Sequence, residues 1–310
     1  MVEIGNFQIN GSSQQKDSRF TYDIFTDTGS LSRARAGTYK ILNLFGFTSW
    51  SQIAIKTKFS IAEQYASQVN GLVWIGEEWY KPSRTPQINP ATAQGNYTLE
   101  GINIPSPSNE DDFILALLRA WKNMCNRLGK DAWICGSPAV CSDDAVWPWM
   151  YGNAAIPYMA TNYNMILYHY PTTLSAAQGT TCKQQNGNPG KNDAASYIKF
   201  WKGKGVKKII YNLTTKFPNS PGTTDINVIR ADFKSAADAG ANIISTYPYA
   251  NGISSDGSAA SRLIEILNWY NGGTNTPTPQ PHQLTVSISS FPETATIKVN
   301  NQNIYLIKKG

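Results

Sequence analysis

The sequence predicts an α/β protein whose parallel strands close into a (β/α)8 barrel, with a small β-module after it. Three observations predict this. Short apolar runs alternate with amphipathic segments over the first 272 residues, so helices cross over between parallel strands. Strands of this kind recur about seven times over roughly 250 residues, the size of such a barrel. No Gly-x-Gly-x-x-Gly turn or phosphate loop follows the first strand, as a nucleotide-binding open sheet would require.

The elements follow in order. Residues 20–25 and 53–55 read as the first two strands. Ile61, Ala62, Tyr65, Ala66 and Val69 keep a helical period across residues 60–69 and lead into a strand over 72–75. Asn109 caps the next helix, three acids favour its N-terminal dipole, and Phe113, Leu117, Ala120, Trp121 and Met124 form its apolar face. Gly129 ends it, before a strand over 132–135. Strands are expected over 164–170, 206–212 and 241–247, with helices over 194–202, 225–239 and 258–270. The eighth strand comes from residues 2–9 or from part of the helix-like stretch 38–45.

The composition divides the chain. Residues 1–272 form the barrel, 273–282 a linker and 283–310 the β-module. Pro277, Pro279 and Pro281 alternate with Thr and Gln, which favours an extended, semi-rigid spacer. Beyond it Leu284, Val286 and Ile288 alternate with polar residues, and 296–299 and 304–307 read as two more strands.

A net charge of +6 raises the question of a nucleic-acid partner. The basic residues are dispersed, however, and no run interleaves with aromatics, so no nucleic-acid interface is expected. The densest cluster, Lys202-Gly-Lys-Gly-Val-Lys-Lys208, falls at a helix-to-strand turn, the non-catalytic face of a barrel. No membrane span or secretory signal is read. Charged residues are only 15% of the chain, and with the Thr/Pro linker they favour an extracellular or cell-surface location. Asn10, Asn96 and Asn212 begin weak glycosylation triplets, Asn212 in a strand end that disfavours modification. Cys125, Cys135, Cys141 and Cys182 lack zinc-site spacing. In an oxidising compartment they would form up to two disulfides, Cys141–Cys182 being an attractive pair.

Barrel chemistry concentrates at the carboxyl ends of strands. The stretch Gly71-Leu-Val-Trp-Ile-Gly-Glu-Glu-Trp-Tyr80 is the most informative there: a buried strand ends in two carboxylates and two aromatics. Charge is costly in a strand core, so such acids sit at the rim or do work. The 20–25 strand offers Asp23 and, beyond it, Asp27; Lys56 and Lys58 follow 53–55. Asp143, Asp144, Trp147 and Trp149 follow 132–135, while Tyr168, His169, Tyr211, Asn212, Lys216 and Tyr247 mark later ends. Two His residues in the whole chain leave no His-rich metal site, and no cofactor is expected.

On these residues the chain resembles the (β/α)8-barrel glycoside hydrolases at the class level, over about residues 18–272. The resemblance implies acid/base cleavage of a polysaccharide or oligosaccharide. Glu77 or Glu78 would be the general acid, its pKa raised beside Trp79. Asp23 is the first choice for the second carboxylate, ahead of Asp27, Asp143 and Asp144. Trp79, Tyr80, Trp147, Trp149, Tyr168, His169 and Tyr247 would bind sugar rings. In the large retaining group the acids follow strands four and seven and an Asn-Glu pair marks the first. On the strand count above, Cys135-Gly-Ser follows the fourth and Thr246-Tyr-Pro-Tyr the seventh, a departure at both places. The long polar segment 81–108 would wall a substrate cleft. The alternative is a non-catalytic carbohydrate-binding or surface barrel using the same aromatics.

Overall fold

In a computed structural model the described residues are 2–7, 16–44, 50–74, 93–135, 155–169, 194–216, 226–248, 258–272, 294–299 and 302–307. The chain divides into two compact units, Met1–Gly272 and Gly273–Gly310.

In the first unit eight strands are parallel and closed on themselves. They are β1 (Glu3–Phe7), β2 (Phe20–Phe25), β3 (Tyr39–Asn43), β4 (Gly71–Val73), β7 (Asp131–Cys135), β8 (Asn164–His169), β9 (Ile209–Lys216) and β10 (Ile243–Pro248). Their order around the wall is β1-β10-β9-β8-β7-β4-β3-β2. Helices α1 (Gln52–Tyr65), α2 (Glu110–Leu128), α3 (Ala155–Asn162), α4 (Ala194–Gly203), α5 (Ile226–Asp238) and α6 (Ser258–Tyr270) fall between or after strands. The chain folds as a (β/α)8 barrel.

The first strands differ from the sequence expectation. Residues 53–55 lie in α1, not in a strand. The Ser51 hydroxyl accepts from the Ala54 N–H at 3.2 Å and caps the helix. Ile55, Phe59 and Ala62 point inward at helical spacing, while Ile53 is 77% exposed. Both candidates for the eighth strand are used, as β1 and β3. The strand over 20–25 is therefore second in the barrel, and the strand leading to Glu77 and Glu78 is fourth.

The lumen is filled in levels. Strand pairing matches Tyr22 with Tyr39, Ile41 with Gly71, Val73 with Trp133 and Ile166 with Ile210. With the stagger of such a barrel, alternate strands share a level. Glu3, Tyr39, Asp131 and Lys208 form the amino-end floor. Tyr22, Gly71 and Ile243 lie above it, followed by Gly5, Ile41, Trp133 and Ile210, and then by Ile24, Val73, Ile166 and Ser245. Phe7, Asn43 and Asn212 belong to the next level up. The apolar members of these levels form one buried cluster.

A second, larger cluster lies between strands and helices. The Trp121 ring of α2 stands 5.0 Å from both Phe59 and Trp74, and its indole N–H reaches the Leu72 carbonyl at 3.5 Å. Asn109 caps α2 through Asp112 N–H, and Gly129 ends it in the left-handed region at φ 65°. Cys125, buried in this helix, is a free thiol. At least one of the four cysteines thus stands outside the expected pairs; Cys141 and Cys182 lie beyond the described residues. Among the described residues no helix is long and apolar enough to cross a membrane.

Within segment 81–108, β5 (Tyr97–Leu99) and β6 (Ile102–Ile104) form an antiparallel hairpin. Its turn uses Glu100 and Gly101 at positive φ. Arg127 of α2 holds the hairpin through Glu100 at 2.7 Å and α1 through Glu63 at 2.7 Å. In the second unit β11 (Thr294–Val299) and β12 (Gln302–Ile307) form another antiparallel hairpin.

Candidate functional site

The two ends of the lumen differ chemically. At the amino end the Tyr39 hydroxyl donates to Asp131. Lys208 Nζ lies 4.0 Å from the same carboxylate and 5.3 Å from the Tyr39 ring centre. Burial, with the charges of Glu3 and Asp131, pushes the Tyr22 phenol up to about 12. These contacts close the floor. Lys202, in the same basic cluster, donates to the Asn242 side chain at 2.8 Å and the Lys207 carbonyl at 3.0 Å, and burial lowers its pKa.

At the carboxyl end the lumen residues whose side chains are described are neutral. Asn43, Asn212 and Ser245 are fully buried. Asn43 follows lumen-facing Ile41 by two residues, Asn212 follows Ile210 and Ser245 follows Ile243, so strand alternation turns all three inward. Asn212 and Ser245 are register partners, and the Ser245 hydroxyl donates to Asn212 Oδ1. β3 and β9 are four strands apart in either direction, so Asn43 and Asn212 stand on opposite walls. Burial of Asn212 also rules its triplet out as a glycosylation site in the folded chain.

Asp23 takes a different place from the one expected. It alternates with lumen-facing Tyr22 and Ile24, so its carboxylate points out of the barrel. There Arg35 grips it with two nitrogens, Nε at 3.1 Å and Nη2. The Thr38 hydroxyl donates at 2.7 Å and the Asn6 amide at 3.4 Å. Arg35 also donates to the carbonyls of Asp17 and Phe20, tying β2 to the turn before β3. The contacts of this carboxylate thus lie outside the lumen.

Asp27, just past the carboxyl end of β2, is exposed and accepts from the Ser30 N–H at 2.7 Å. Lys56 and Lys58, read as strand-end residues, belong to α1. Lys58 is buried, with Nζ 3.4 Å from the Leu44 carbonyl oxygen and 5.4 Å from the Trp74 ring centre. Tyr168 and His169 are the last two positions of β8, and Tyr247 is the penultimate position of β10. Glu77, Glu78, Trp79, Tyr80, Trp147 and Trp149 lie outside the described residues, as do Asp143 and Asp144.

Asn43 and Ser245 were not foreseen as lumen residues. Asn43 sits in a stretch with helix-like spacing, and Ser245 is small and carries no charge. The signal that finds them is parity with Ile41 and Ile243 once the strands are fixed. Among the described residues no group of three or more His, Cys, Asp or Glu could hold a metal ion.

No protein-family model matches the chain, and a search of curated proteins returned no match. Several solved structures are similar in fold. A 3-keto-D-glucoside 4-epimerase from E. coli has a TM-score of 0.48 at 10% identity, over 86% of this chain and 100% of that one. A chitinase from Chromobacterium violaceum has a TM-score of 0.43 at 9% identity, over 85% and 99%. A chitinase-like agglutinin from Robinia pseudoacacia has a TM-score of 0.42 at 11% identity, over 83% and 98%. These likenesses are to the barrel alone.

Proposed function

We propose that the protein is a glycoside hydrolase that cleaves a polysaccharide or oligosaccharide with carboxylate acid/base catalysis. The observation that carries this is the corrected strand count: β4 is the fourth strand of the barrel, and Glu77 and Glu78 follow it in sequence. That is one of the two strands after which the retaining barrel hydrolases carry an acid. One of Glu77 and Glu78 would be the general acid that protonates the leaving oxygen. Trp79 and Tyr80 beside it, with Trp147, Trp149, Tyr168, His169 and Tyr247, would supply stacking faces for sugar rings.

The second carboxylate is proposed among Asp27, Asp143 and Asp144, since Asp23 is held outside the lumen. The neutral upper lumen of Asn43, Asn212 and Ser245 suits an uncharged, hydroxyl-rich ligand. An extracellular or cell-surface site of action belongs to the same proposal.

One observation favours the second reading, a barrel that binds glycans without cleaving them. After β9, the seventh barrel strand, no acid occurs between Lys216 and Asp225, so the acid expected there is missing. Reducing-sugar release from a panel of chitin, cellulose, xylan, mannan and peptidoglycan separates the two. Turnover of any of them supports the hydrolase. Binding without turnover moves the function to the glycan-binding barrel, and neither binding nor turnover contradicts both.

A further inference from the structure

We infer that Asn212 is a ligand-binding residue of the lumen, its Nδ2 donating a hydrogen bond to a hydroxyl oxygen of a neutral sugar; this rests on the carbohydrate reading above. Asn212 is 0% exposed, and its Nδ2 has no hydrogen-bond partner in the folded chain. Buried amide hydrogens are nearly always paired, so an unpaired one calls for an explanation. Here the other half of the amide is fixed, because the Ser245 hydroxyl donates to Oδ1. Turning the amide over would only exchange one unpaired atom for another. The pair is thus built to hold one donor in a set direction.

The place of that donor selects its ligand. Asn212 lies on the seventh barrel strand, above Ile210 and on the carboxyl side of the apolar levels, which is the functional end of such barrels. No charged side chain joins it among the described residues of its level. A lone neutral donor facing a wall that carries Asn43 suits a hydroxyl group, which accepts one hydrogen bond and donates another. Among the described side chains of that level an anionic ligand would find no cation. A sugar that pairs Nδ2 removes the desolvation cost the empty protein carries.

The test uses the whole chain with Asn212→Leu, Asn212→Asp and Ser245→Ala. Binding of chitotetraose, cellotetraose, xylotetraose and mannotetraose is measured by calorimetry, with thermal melting alongside. The expected result is that Asn212→Leu melts at or above the wild-type temperature, since a lone buried donor has gone, while affinity falls at least tenfold. Asn212→Asp, which puts an acceptor where the donor was, should lose affinity similarly and carries the comparison if the leucine variant does not fold. Ser245→Ala should weaken binding less, by freeing the amide to turn. Wild-type affinity in both Asn212 variants would overturn the inference and leave the carbohydrate reading standing. A wild-type protein that binds none of the four sugars would overturn that reading, and this inference with it.

Discussion

A Cβ added to Gly71 would lie 2.5 Å from Nε1 of Trp133, so the indole of β7 occupies the volume that any side chain on β4 would need. The two residues sit at neighbouring levels of the lumen, and the absence of one side chain makes room for the other. Gly71→Ala should destabilise the fold by about 1–3 kcal/mol through overpacking. Trp133→Phe in the same chain should recover part of that loss. A double-mutant cycle in denaturant measures the coupling, and additive effects would show that the two do not compete for space.

Asp23 and Arg35 form a pair with little access to water: their side chains are 0% and 14% exposed. Removing the cation alone strands a buried carboxylate, so Arg35→Met should cost about 3–5 kcal/mol. Replacing both, with Asp23→Asn and Arg35→Met, should cost less than the single change. If Asp23 serves only the fold, Asp23→Asn assayed well below its melting temperature keeps wild-type turnover on any active substrate. A large loss of turnover there, with the fold intact, would return Asp23 to the site.

Buried thiol and phenol groups limit stability at alkaline pH, Cys125, Tyr22 and Tyr97 among them. Burial pushes the Cys125 thiol up to about 12 from 9.0 and the phenols of Tyr22 and Tyr97 up to about 12 from 10.0. Each folded pKa lies above its unfolded value, so the stabilisation is fully present below the unfolded pKa. It is lost as pH rises toward the folded one. Stability should therefore fall between pH 9 and 12. Cys125→Ala should flatten the onset of that fall, measured as denaturation midpoint against pH. The buried thiol should also resist alkylation at pH 8 until the chain unfolds.

Much of the fold was legible because the helices announce themselves. Asn109 and Gly129 bracket α2 as their cap chemistry requires, and α5 and α6 fall close to their apolar periods. The first third was harder to read. β3, Tyr39-Lys-Ile-Leu-Asn, carries Ile41 toward the lumen and Leu42 toward the helices, so both faces are apolar and the period of two is blurred. Ile53 and Ile55 look like alternation, yet one faces solvent and the other the core of a helix. Exchanging that stretch for β3 leaves the strand count unchanged, and it is β1, ahead of residues 20–25, that moves the strand before Glu77 and Glu78 from third to fourth. Asp23 misled for a different reason. The sequence shows an acid in a strand, but only the pairing of Tyr22 and Ile24 with the lumen reveals that it points the other way.

The most direct test of the proposed chemistry compares Glu77→Gln with Glu78→Gln on a polysaccharide the wild type cleaves. The account predicts that one of the two substitutions lowers kcat by roughly 10²–10⁴-fold, the usual contribution of a general acid, with less loss on an aryl glycoside whose leaving group needs no proton. The other should stay within about tenfold of wild type, as expected of a residue outside the acid/base pair. Unchanged turnover in both variants would contradict the account, and would place the acid on another strand.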